Sequence, residues 1–157
     1  MERSQSKLSI LVVDDYKNAS ETMGLAIASK FPDVTVYTAG NGKIGLDLFK
    51  EHMPDIVITD INMPEMDGIQ MATEIKSARS DVRFIVLTAN SDNELLDEFS
   101  EIGYEDFMIK PIEFNRLFAA IGKCIAEVAQ RSQSFSGARR VLSHSKETCG
   151  ISLTQVA

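Results

Sequence analysis

Leu8-Ser9-Ile10-Leu11-Val12-Val13-Asp14-Asp15 decides the fold. Six residues, mostly Val, Ile and Leu, run without polar alternation into a pair of acids. A short run of this kind predicts a strand buried on both faces, as in a parallel sheet. Three more runs follow the same plan. Asp55-Ile56-Val57-Ile58-Thr59 leads to Asp60, Val82-Arg83-Phe84-Ile85-Val86-Leu87 to Thr88, and Asp106-Phe107-Met108-Ile109 to Lys110-Pro111. Ligands of open parallel sheets bind beyond the carboxyl ends of the strands. Three carboxylates, a hydroxyl and an ammonium are therefore expected in one cleft.

Between the runs lie helical patterns. Ala19, Met23, Ala26 and Ile27 recur at helical spacing over about 18–30, before Phe31-Pro32. A second strand is expected at about 34–39. Asn41-Gly42 reads as a turn, and Ile44, Leu48 and Phe49 as one face of a helix over about 43–52. Asp67-Gly68 is also a turn signal, followed by a helix to about Ser77 with Ile69, Met71, Ala72 and Ile75. The next helix, about 93–102, has Ser91 or Asp92 as its cap, Leu95, Leu96, Phe99 and Ile102 as its stripe, and Gly103 as its end. The last spans about 113–130 with Leu117, Ile121, Cys124, Ile125 and Val128 buried. The alternation predicts an α/β fold: a (βα)5 doubly wound, five-stranded parallel sheet with right-handed crossovers in a three-layer sandwich. Strand order 2-1-3-4-5 puts the switch point between strands one and three, where Asp14, Asp15 and Asp60 sit.

Composition limits the function classes. At 157 residues the chain suits one domain, and its net charge of −7 argues against nonspecific nucleic-acid binding. It has no apolar run long enough to span a membrane, and its polar start lacks a signal peptide's apolar segment. A cytoplasmic protein is expected. Cys124 and Cys149 match no metal spacing. Residues 131–157 differ from the rest: they are Ser-rich, and Arg131, Arg139, Arg140 and Lys146 against Glu147 make them basic. They are read as a tail without an independent core, beyond a domain of residues 1–130.

Three carboxylates in one cleft stay ionised only beside a cation. All-oxygen donors without His or Cys favour Mg²⁺. An aspartate can act as a nucleophile toward phosphorus, and Asp60 is the candidate, with Lys110 and Thr88 facing the phosphoryl oxygens.

These residues resemble the receiver domain of bacterial two-component response regulators, with its flavodoxin-like strand order. The likeness rests on Val12-Val13-Asp14-Asp15, on Asp60 with Met63-Pro64 and Asp67-Gly68, and on Thr88-Ala89 and Lys110-Pro111, within about residues 7–130. It implies that Asp60 is the phosphoacceptor for a sensor histidine kinase or phosphotransfer protein. Asp15 and Asp60 would bind Mg²⁺ directly, Asp14 through water, and Asn62 by its backbone carbonyl. Thr88 and Lys110 would contact the phosphoryl group, and Phe107 would be the aromatic that turns inward with Thr88. Asn62 and Asn90 would border the attacking water and tune phosphoryl lifetime. The output would be a changed face of helix four, strand five and helix five, read by a protein partner or a second copy. Direct DNA binding is not expected.

Other classes stay in view. A Mg²⁺-dependent phosphohydrolase would carry an acid where Asn62 stands, so a turnover enzyme is not expected. A scaffold that works without phosphorylation, or the receiver of a longer regulator, are the alternatives.

Overall fold

A computed structural model describes residues 8–89 and 93–144, and the side chains of all of these except 131–144. Its elements alternate: β1 Ser9–Val13, α1 Lys17–Lys30, β2 Thr35–Ala39, α2 Gly42–His52, β3 Ile56–Asp60, α3 Gly68–Ala78, β4 Arg83–Thr88, α4 Asn93–Ser100, β5 Asp106–Ile109 and α5 Phe114–His144. All strand pairs are parallel, in the order β2-β1-β3-β4-β5. This is the flavodoxin-like order expected from the sequence. No described helix is long and apolar enough to cross a membrane.

The three central strands are buried almost throughout, which is why their sequences show no alternation. Pleating sends successive side chains to opposite faces. Leu11, Val13, Val57, Phe84 and Val86 join Leu46, Phe49, Met71, Ala72, Ile75 and Phe99 in one core cluster. Their strand neighbours Ile10, Val12, Ile58, Ile85 and Leu87 are equally buried and take the other face.

Register sets the functional end. Val13 lies opposite Thr59, so Asp14 and Asp60 follow at one level. Asp60 lies opposite Leu87, and Thr88 opposite Ile109. Lys110 follows at once, its backbone N–H donating to the Thr88 carbonyl at 2.8 Å.

At the other end of the sheet Arg79 makes a clamp. Its Nη1 donates to the carbonyls of Met53 (2.8 Å) and Pro54 (3.2 Å), its Nη2 to Asp55 Oδ1 (3.0 Å) and its Nε to Asp81 Oδ1 (2.8 Å). Asp55 Oδ2 in turn accepts from the Ser9 N–H at 3.0 Å.

Several local expectations need correction. The buried face of α2 is Gly42, Gly45, Leu46 and Phe49, whereas Ile44 is 46% exposed. A small helix face lets the backbone approach the sheet: a Cβ on Gly45 would meet Val13 Cγ2 at 2.8 Å. The buried residues of α1 are Ser20, Met23, Gly24 and Ile27, without Ala19 or Ala26, because there too a glycine makes the closest approach, to Thr38.

Asn41-Gly42 and Asp67-Gly68 are helix starts, not free turns. Asn41 accepts from the Ile44 N–H, and Asp67 from the Gln70 N–H, the latter with Gln70 reaching back in a capping box. α4 stops at Ser100, short of Ile102, and Gly103 with φ 101° follows it. Ser91 and Asp92 lie outside the described residues. α5 runs past Gln130 to His144. The chain divides into two compact units, Met1–Ile121 and Gly122–Ala157.

Candidate functional site

The acids meet where register puts them. Carboxylate oxygens of Asp14, Asp15 and Asp60 lie within 4.8 Å of one another. Asp14 is 1% exposed and Asp60 7%, while Asp15 is open to solvent. Lys110 Nζ donates to Asp60 Oδ2 at 2.9 Å and to Asp14 Oδ2 at 3.2 Å. The second Asp14 oxygen accepts from the Tyr16 N–H at 2.9 Å. Asp14 thus has both oxygens engaged by protein, and Asp15 is the acid facing water.

One ammonium cannot balance three carboxylates. Burial pushes the Asp60 carboxyl up to about 6; the Lys110 hydrogen bond opposes this and the charge of Asp14 adds to it. Lys110 is half-buried. Burial alone would lower its ammonium, but the bond to Asp60 and the charges of Asp60 and Asp14 outweigh that and raise it. The oxygen-only donor set and its surplus negative charge fit a hard divalent cation such as Mg²⁺.

Thr88 is 2% exposed, and its hydroxyl donates to the Ala89 carbonyl at 3.1 Å. The β3–α3 loop folds back over Asp60. Gly68 N–H donates to the Ile61 carbonyl at 2.7 Å, and a Cβ on Gly68 would lie 2.3 Å from the Asp60 carbonyl oxygen. That same carbonyl accepts the Thr59 hydroxyl at 2.8 Å. Beside the site opens a cavity of about 650 Å³, bounded by Asp14 and Lys110 and otherwise mostly apolar, with Met23, Ile112 and Phe114 in its wall.

The model of the response regulator receiver domain matches residues 10–122. The chain belongs to that family. Receiver domains belong to the response regulators of two-component systems, and the family is typically one of signalling rather than catalysis. This one is 36% identical over 116 residues to the chemotaxis protein CheY of Bacillus subtilis, covering 74% of this chain and 96% of that protein. It is 40% identical over 86 residues to the probable C4-dicarboxylate response regulator DctR of Bacillus subtilis, covering 55% of this chain but 38% of DctR. The chain therefore spans well under half the length of that relative. A crystal structure of a response regulator receiver domain protein from Clostridium thermocellum superposes with a TM-score of 0.73 at 27% identity, covering 78% of this chain and 98% of the other.

Within the receiver, Asp14, Asp15, Asp60 and Lys110 share one cluster, and Thr88 ends the neighbouring strand. Asn62 is exposed in the loop after Asp60. Asn90 lies outside the described residues. Phe107 sits one strand over, half-buried against the core, and forms an edge-to-face pair with Tyr104. Sequence reading missed Tyr16, Thr59 and Tyr104. The first two act through a backbone N–H and a local hydroxyl bond, which leave no pattern. Tyr104 carried a signal, an aromatic three places before Phe107.

Proposed function

We propose that Asp60 accepts a phosphoryl group from the phosphohistidine of a sensor kinase or phosphotransfer protein, and that the change is passed to a protein partner. The observation that carries this is the Lys110 ammonium bonded to both Asp60 and Asp14 inside a three-carboxylate cluster. In the transfer an Asp60 oxygen forms the new P–O bond as the donor's P–N bond breaks, and the imidazole keeps the electron pair. Lys110 holds the nucleophile ionised and then faces the added charge. The Thr88 hydroxyl exchanges its Ala89 carbonyl for a phosphoryl oxygen.

Asp15 and Asp60, with the Asn62 carbonyl, would hold Mg²⁺ directly; the fully engaged oxygens of Asp14 favour a water-mediated part for that residue. Mg²⁺ supplies charge neutralisation at the carboxylates and the phosphoryl oxygens. The apolar cavity beside Lys110 offers the donor protein a place to rest. Asn62 and Asn90 bring amides, not an acid, to the water that removes the phosphoryl group, and so set its lifetime.

Added charge at Asp60 shifts a population between two arrangements of the surface formed by α4, β5 and the start of α5, with Phe107 following Thr88. The test is intact mass after incubation with Mg²⁺ and acetyl phosphate. A gain of about 80 Da, one phosphoryl group on an aspartyl nucleophile, is expected in the wild type and absent in Asp60→Ala. A wild type that gains nothing would refute the acceptor role.

A further inference from the structure

Four rings form a continuous series between β5 and the core. Phe107 and Tyr104 have centroids 6.1 Å apart with planes at 78°. Tyr104 and Phe99 are 6.1 Å apart at 71°, and Phe99 and Phe84 5.6 Å apart at 73°. All three pairs are edge-to-face, the arrangement that ring quadrupoles favour at these distances. The inner two rings are fully buried, and the outer two are partly so.

The ends of the series are held differently. At Phe107 the backbone is fixed: its N–H donates to Asp106 Oδ1 at 2.8 Å, and its carbonyl accepts from Arg116 Nη2 at 3.1 Å. Only the ring is left to move. At the other end Phe84 is fixed in β4, and its partner Phe99 is the one residue of α4 that is buried. Phe99 is thus the deepest anchor of α4, beside the partly buried Leu95 and Leu96, and Tyr104 is one of its walls.

The geometry points to Tyr104 as the residue that passes a change in the Phe107 ring to α4 through Phe99. This rests on the phosphoryl-acceptor reading for its trigger, but the ring coupling itself does not need the trigger. An edge-to-face contact is directional, so a Phe107 ring that turns withdraws one partner from Tyr104. Close-packed rings respond by stepping to another arrangement rather than by deforming smoothly. The phenolic hydroxyl is dispensable to this role; the ring is not. Because coupling is reciprocal, a weaker series would also alter how tightly a phosphoryl mimic is held at Asp60.

The experiment uses the full chain with 4-fluorophenylalanine at position 99 and reads its fluorine resonance. In metal-free protein, Phe107→Leu is expected to shift that resonance. With Tyr104→Leu in the background the response should fall to less than about half, whereas Tyr104→Phe should preserve it. Beryllofluoride with Mg²⁺ is then added to wild type and to Tyr104→Leu. The wild-type resonance should move on saturation, and the Tyr104→Leu midpoint should differ at least about threefold. Tyr104→Phe keeps the test decisive if Tyr104→Leu does not fold, since loss of the response in that variant would assign the effect to the hydroxyl and overturn the proposal. An equal Phe107→Leu response with and without the Tyr104 ring would also overturn it. Coupling that persists while beryllofluoride leaves the wild type unchanged would sustain Tyr104 and count against the Asp60 reading alone.

Discussion

At the residue scale, Asp60 and Lys110 set the behaviour of the site. The folded Asp60 carboxyl titrates near 6 against an ordinary 3.8, so the folded metal-free chain binds this proton more tightly than the unfolded one. Its stabilising contribution is full below about 3.8 and is lost as pH rises through about 6. Metal-free stability should therefore fall across that window, by up to about 3 kcal/mol from this group, and Asp60→Asn should flatten the curve. Urea unfolding at a series of pH values checks both, and at pH 7 Asp60→Asn should be more stable than wild type by about 1–3 kcal/mol. Lys110→Ala removes the bond and the charge that hold Asp60 down, so a carbon-13 titration should place its carboxyl above 6. The five polar residues were legible because each closes an apolar run, and parallel strands share one level. The bond from Lys110 to Asp14 was not, since a flexible four-carbon side chain takes its partner from three-dimensional packing.

At the scale of elements, the helix starts teach the most. Asn-Gly and Asp-Gly carry a turn signal, but here each polar residue caps a helix and each glycine makes room. Pair frequencies cannot separate the two cases, because the deciding contact comes from elsewhere in the chain: Met66 for Gly42, and Asp60 for Gly68. The two roles should separate by mutation. Asp67→Ala should cost about 1 kcal/mol, the usual loss of an N-cap, and leave acetyl phosphate uptake near wild type. Gly68→Ala should cost about 2–3 kcal/mol, since backbone must shift to admit a methyl group, and should slow uptake by displacing Asp60. Thermal unfolding and intact mass on the same samples give both readings. The α2 face was misjudged for a related reason: apolar periodicity selected Ile44, while the sheet contact is made by the glycine next to it.

For the whole molecule, stability and chemistry occupy opposite ends of the sheet. Arg79 gathers the loop before β3, the end of α3 and, through Asp55, the start of β1. Arg79→Ala should cost about 1–3 kcal/mol by leaving acceptors without their donor, yet phosphoryl uptake at the far end should be unchanged when measured well below the melting temperature. Strand order was readable because five strand–helix pairs with right-handed crossovers leave few topologies. The extent of α5 was not: the composition shift near Gln130 marks a change of solvent character, and a helix can continue through such a change.

The Lys110 contacts also have a consequence for how the protein is made. Asp60 precedes Lys110 by 50 residues and Asp14 precedes it by 96. A nascent chain carries both of these acids long before it carries the ammonium that bonds them. Until β5 leaves the ribosome Asp60 and one oxygen of Asp14 lack the ammonium that pairs them, and only the other Asp14 oxygen has its donor, the Tyr16 N–H, close by in sequence. Completion of the site thus waits on the strand that completes the sheet.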